Sequence, residues 1–161
     1  MRFAAIVVAG MLCVGCQTTS HSGKAVGTGK FTELNLFVVP MAINIDGVAG
    51  ADAVAIQFFA VRNGKAKGCL IPDGTLEAHM LDGHYIRGDE EDLPTLKTWT
   101  YTAEDLRQYG KETLMGQGYE LLLVWDKDNP PTRQKVTIVL KYESKDGETL
   151  LSNPGIVVLS Q

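Results

Sequence analysis

The sequence predicts an all-β protein, an antiparallel β-sandwich of seven or eight strands with one short helix. Three observations carry that expectation. Apolar and polar residues alternate with a period of two in several segments, as they do in strands with one face on a core. Three other runs are apolar on both faces, as strands in the middle of a sheet are. Residue pairs that favour tight turns fall between these segments: Asn63-Gly64, Asp73-Gly74, Asp82-Gly83 and Asp146-Gly147, with Asn129-Pro130-Pro131 as a further break.

Taken in order, Leu34 to Val39 starts the sheet and stops at Pro40, which has no N–H to give to a ladder. Ala53 to Val61 is the first of the doubly apolar runs and is expected to be central, or covered on both sides. After Asn63-Gly64 the chain returns through Lys65 to Gly68. Leu76, Ala78 and Met80 then alternate with Glu77 and His79, and Trp99 and Tyr101 alternate with Thr98, Thr100 and Thr102. Thr102 followed by Asp105 matches a capping box, with Leu106 and Tyr109 on one face and Gly110 as a stop, so a two-turn helix is predicted there. Tyr119 to Trp125 and Ile156 to Leu159 are the other doubly apolar runs. Between them Val136, Ile138, Leu140 and Tyr142 alternate with Lys135, Thr137, Lys141 and Glu143, Val139 being the one exception.

The chain has 161 residues, 45% of them apolar and 21% charged, enough for one domain with a core that needs neither disulfide nor metal. Its formal net charge is -4, which argues against nucleic acid as a partner, since neutralising phosphates takes a basic stripe.

The first residues read as an address. Arg2 is followed by an apolar or small run from Phe3 to Val14, which as a helix would span about 18 Å, too short to cross a bilayer core. A basic start, a run of this length and a small residue at the cleavage point describe a secretory signal. Val14-Gly15-Cys16 then resembles the lipobox of bacterial lipoproteins, although Cys13 stands where that motif usually has Leu and Leu12 lies one position further back. The resemblance implies cleavage before Cys16, a diacylglyceryl group on its thiol and an acylated amine. It also implies anchoring in a bacterial cell envelope, in the outer membrane where one exists, because Gln17 rather than Asp follows the cysteine. Two or more acyl chains make such an anchor stable.

The expected organisation is therefore a signal peptide over residues 1–15, a lipidated Cys16 with a flexible linker over 16–29, and a single sandwich domain over 30–161. The linker is rich in Ser, Thr and Gly, and its root-mean-square reach is about 20 Å. With Cys13 removed and Cys16 acylated, Cys69 is left without an intramolecular disulfide partner.

Candidate chemistry is sparse. Cys69 with His79 or His84 is a conceivable thiol and base, but Gly68-Cys69-Leu70-Ile71-Pro72 offers no helix start to activate a thiol and reads as a hydrophobic site. His79, His84, Asp82 and the run Asp89-Glu90-Glu91-Asp92 lack the paired spacings of a zinc site. Asp126-Lys127-Asp128-Asn129 begins like a calcium loop and is broken by Pro130-Pro131. Phosphate-loop, dinucleotide, nucleophile-elbow and zincin motifs are missing, so no cofactor, no metal and no catalytic residue is assigned. Trp99, Tyr101, Tyr119 and Trp125 fall at strand spacing and are expected in the core; together with Tyr109 they would otherwise form a ligand-facing platform.

The block from Ala53 to His79 resembles immunoglobulin-like or transthyretin-like sandwich domains, which implies architecture only. Leu34-Asn35-Leu36, Asn44-Ile45-Asp46-Gly47 and the strand Ala53 to Val61 resemble the opening of small lipoproteins of the type VI secretion apparatus. The function expected is that of a lipid-anchored, non-catalytic binding or structural module. It would contact the membrane through Cys16 and another envelope protein through a sheet edge or loop face. A secretion-type anchor and an envelope hydrolase are the alternatives.

Overall fold

The computed structural model describes residues 30–85, 93–126 and 129–159. It is an all-β sandwich of two sheets, with ten strands among the described residues. The first sheet is built from β1 (Phe31–Val38), β2 (Ala53–Arg62), β3 (Gly68–Cys69), β6 (Gly110–Thr113) and β7 (Gly116–Val124), in the order β1-β2-β3-β7-β6 with β2 also pairing β7. The second has the order β10-β8-β4-β5, from β4 (Thr75–Asp82), β5 (Thr95–Thr102), β8 (Lys135–Glu143) and β10 (Gly155–Val158), with β9 (Thr149–Leu151) paired to β8.

The period-two segments face the core as their pattern demands. Leu76, Ala78 and Met80 of β4 lie in register with Tyr142, Leu140 and Ile138 of β8, and all six are buried. From the first sheet Leu34, Leu36, Val54, Ile56, Phe58, Tyr119, Leu121 and Leu123 meet them. Phe58 and Tyr119 are directly opposite in the β2–β7 ladder and stack at 4.9 Å with their rings 14° apart. The Tyr119 hydroxyl accepts the Ile71 N–H at 2.7 Å, so the ring's one polar atom is satisfied inside the core.

The helix forms where the capping box places it, as α1 (Ala103–Arg107). Asp105 N–H donates to the Thr102 hydroxyl and Thr102 N–H donates to the Asp105 carboxylate. It carries the chain from β5 of the second sheet to β6 of the first, with Leu106 in the core.

One expectation needs correction. Ile156 to Leu159 is not central: β10 is an end strand, and its inner residue Val157 is buried while Val158 is exposed. Tyr119 to Trp125 is central in the first sheet as expected; no described element covers its outer face, so Leu122 and Val124 are exposed. Strands β3, β6 and β9 lie beyond those that the pattern identifies, which brings seven or eight to ten.

The edges on one side of the sandwich are closed by specific bonds. Asn153 fits against β1 as a neighbouring peptide unit would: its Oδ1 accepts the Leu36 N–H at 2.8 Å and its Nδ2 donates to the Leu36 carbonyl at 2.9 Å. After Pro40 the chain crosses to the second sheet, where Val158 N–H donates to Pro40 O at 2.8 Å and Ala42 N–H donates to Val158 O at 3.0 Å. It then returns to bridge Ile43 with Ala53. Unpaired edges invite unwanted strand addition, and these devices block it. Asn153→Ala is expected to lower stability by about 1–3 kcal/mol by orphaning two backbone groups, with Asn153→Asp intermediate; urea unfolding checks both.

Candidate interaction surface

The outer face of the first sheet is built in rows by the strand register. Phe37, Gln57 and Glu120 form one row, since Phe37 pairs with Gln57 and Gln57 with Glu120. Val39 donates its N–H to Ala55 O at 3.0 Å and Ala55 pairs with Leu122, which makes a second, wholly apolar row. Ile43, Ala53 and Val124 make the third. Side chains on this face point away from the core because they alternate with Leu36, Ile56, Leu121 and Leu123, which are buried. The result is a largely exposed hydrophobic surface: Phe37 is 51% exposed, Val39 46%, Leu122 47% and Val124 38%. Its middle is a shallow groove between Phe37, Val39, Ala55 and Leu122 with Tyr109 and Glu120 at the side. Contiguous apolar patches on a protein surface mark interaction sites more often than isolated exposed residues do.

Aromatic packing also lies on this face. Phe59 sits on it, buried, with Phe37 edge-on at 6.0 Å. The ring lies where Gly68 and Gly118 leave room: a Cβ on either glycine would come within 2.8 Å or 2.7 Å of it. Glu120 is ion-paired with Lys111 of β6.

The opposite face, on the second sheet, is polar. His79 lies there between Thr98, 3.1 Å from its Nδ1, and Glu77, 3.2 Å from its Nε2. Glu77 also meets Lys141 at 3.6 Å. A groove lined by His79, Leu81, Tyr85, Val139 and Asn153 runs from here towards β1.

Cys69 is half-buried in the first sheet, its Sγ 3.5 Å from Lys67 O, whereas His79 is on the second and His84 is exposed, so the structure does not bring a thiol and an imidazole together. Among the described residues no three His, Cys, Asp or Glu side chains converge as metal ligands. Asp126 is exposed and ion-paired with Lys97 at 3.2 Å. Cys16, the linker and the run Asp89 to Asp92 lie outside the described residues. Of the aromatics, Tyr119 and Trp125 are buried; Trp99 and Tyr101 are half-buried on the end strand β5, where the Trp99 indole N–H donates to Val124 O at 3.0 Å and ties the two sheets together.

Two polar residues act as anchors in a way the sequence does not signal. Asp82 is buried and accepts from Thr132 N–H at 3.2 Å, the Thr132 hydroxyl, and Arg133 N–H at 3.1 Å. Burial would raise its carboxyl, but the Thr132 hydroxyl, the two backbone N–H groups and the Arg133 charge outweigh that and hold it below the ordinary aspartate range. Arg62 is buried with its guanidinium 4.9 Å over the Phe31 ring, and its Nε is the one buried side-chain polar atom among the described residues without a partner. Nearby, burial, then the charge of Asp73, push the Tyr142 phenol up to about 12, so it stays neutral and donates to Asp73.

The molecule these features define is a two-sheet β-sandwich with one apolar and one polar outer face. No protein-family model matches the chain, and no curated protein matches it in sequence. Among solved structures it is similar to Spo0M, a sporulation control protein from Bacillus subtilis, at 12% identity and a TM-score of 0.44. That match covers 80% of this chain and 49% of the other, so the chain spans about half the length of that protein. No helix among the described residues is long and apolar enough to cross a membrane.

Proposed function

We propose that this chain is a lipid-anchored protein of a bacterial cell envelope whose sandwich serves as a non-catalytic binding or structural module. In this reading residues 1–15 are removed as a signal peptide, Cys16 is acylated, and residues 17–29 tether the domain to the bilayer. The module meets another envelope protein through the outer face of the first sheet. The observation that supports a binding role is the apolar rows Val39–Ala55–Leu122 and Ile43–Ala53–Val124, in which Val39, Leu122, Ile43 and Val124 are exposed and Ala53 is buried between its neighbours. Burying such a face is favourable by roughly 25 cal/mol for each Å² of apolar area removed from water. Support for the anchor comes from the sequence at Val14-Gly15-Cys16.

The anchor is tested in cells by Cys16→Ser. The expected result is loss of palmitate label, an unprocessed or unacylated mass, and departure from the membrane fraction. An unmodified chain in native material, still starting at Met1, would overturn the anchor.

A further inference from the structure

We infer that the tether end of the sandwich rests on an anionic bilayer, with Leu114 and Met115 of the β6–β7 turn dipping below the headgroups and Lys65 and Lys67 beside them at phosphate level. The inference rests on the anchored reading above, which puts a membrane within reach of this end.

The strand register gathers these residues. Phe31 pairs with Arg62, Val61 with Gly68 and Gly68 with Gly116, so the start of β1, the β2–β3 loop and the β6–β7 turn lie side by side at one end of the first sheet. Gly68 N–H donates to Met115 O at 2.8 Å and joins the loop to the turn. Asn63 N–H donates to Lys30 O at 3.3 Å and joins the loop to the point where the tether enters. Strand β1 then carries the chain away from this end for about 26 Å, at about 3.3 Å per residue.

The tip is built to project. The Thr113 hydroxyl donates to Gly116 O at 2.9 Å and accepts the Met115 N–H at 3.1 Å, so the turn bonds its own backbone and needs no side chain at its apex. Leu114 is left 95% exposed, more than any other large apolar residue described, and Met115 is 48% exposed. Turns of this kind ordinarily carry Gly, Asn, Asp or Ser at the apex.

Charge selects the partner. The loop from Asn63 to Gly68 exposes Lys65 and Lys67 and contains no acid. From Cys16 to Thr32 the sequence has Lys24 and Lys30 and again no acid, although the whole chain has a net charge of -4. Near this end Glu148 is paired with Lys30, and Glu112 of β6 is an exposed acid beside the tip. The opposite end, residues 39–52, also exposes apolar side chains, Ile45 and Val48 among them, but it carries Asp46 and Asp52 and no Lys or Arg. Apolar side chains flanked by cations are what an anionic lipid surface takes up. The acidic remainder of the body is repelled by that same surface, so the domain stands on its tether end. Two apolar side chains and a few lysines bind weakly by themselves, and their effect is to orient a domain that acyl chains already hold.

The test places a photo-crosslinking amino acid at Leu114 of the full chain in native membranes. The expected product is a phospholipid adduct, with no such adduct from the same probe at Val48 of the opposite end. Purified and reconstituted, the chain should give severalfold more adduct in phosphatidylcholine vesicles with about 30% phosphatidylglycerol than in phosphatidylcholine alone. Lys65→Glu combined with Lys67→Glu, with a circular dichroism spectrum like the parent's, should remove that difference. The full chain with Cys16→Ser should still sediment with the phosphatidylglycerol vesicles, and adding Leu114→Ser should weaken this about tenfold. Crosslinks from Leu114 to protein alone or to nothing, equal lipid adducts at Leu114 and Val48, or equal yields with and without phosphatidylglycerol would overturn the inference. If native material proves unacylated the anchor is refuted, and sedimentation of the Cys16→Ser chain still reports separately on the tip.

Discussion

Tyr119→Ala is expected to lower the unfolding free energy by about 3–5 kcal/mol, the loss typical of removing a large buried aromatic ring. Tyr119 is 1% exposed, lies opposite Phe58 in the middle of the first sheet, and holds the Ile71 N–H through its hydroxyl. Removing the ring leaves a cavity beneath Phe58 and takes away the acceptor for a buried backbone donor. Tyr119→Phe separates the two effects: the stack remains and the Ile71 N–H loses its acceptor, so the cost falls to about 1–3 kcal/mol. Guanidinium unfolding of both variants against the parent measures the difference. Equal losses would mean that the hydroxyl, not the stack, dominates.

Asp82→Ala is the second large effect, with an expected loss of about 3 kcal/mol at neutral pH, since two backbone N–H groups and a hydroxyl lose one charged acceptor. The sign of its pH dependence follows from the direction of the shift. The folded carboxyl lies below its ordinary range, so its stabilisation is fully present above the unfolded value near 3.9 and fades as pH falls through the folded value. The gap between parent and Asp82→Ala should therefore be constant from about pH 5 to 8 and shrink in more acid solution. Asp82→Asn keeps one acceptor oxygen and no titration, and its loss should not vary with pH in that range. Urea midpoints at pH 7, 5 and 3 test all three chains.

The all-β class was legible because β4 from Leu76 to Met80 and β8 from Lys135 to Glu143, with Val139 the one exception, alternate for long enough that period two stands out. Strand β8 has the limits its alternation marks, Lys135–Glu143. Thr102 with Asp105 likewise marks the start of α1, because a capping box is a local bond between residues three apart. The strands that escaped are the short ones: β3 has two residues, and Gly110–Thr113 of β6 is largely polar, so neither holds a period. Doubly apolar runs signalled central strands for β2 and β7, but pattern alone does not distinguish a covered second face from an uncovered one. For the same reason the apolar surface around Leu122 was readable as composition and not as a surface. The bonding roles of Asn153 and Asp82 were invisible for a different reason. Each is a single polar residue whose partners, Leu36 for one and Thr132 for the other, lie 117 and 50 positions away.

The way the chain enters the sandwich also decides how it resists force. Tension applied at Lys30 acts along the length of β1, parallel to the ladder that joins it to β2, so several hydrogen bonds are loaded together in shear and cannot be unzipped one at a time. Beyond Pro40 the bonds to Val158 pass the remaining load into the second sheet, which makes both layers share any drag transmitted from the N-terminal side.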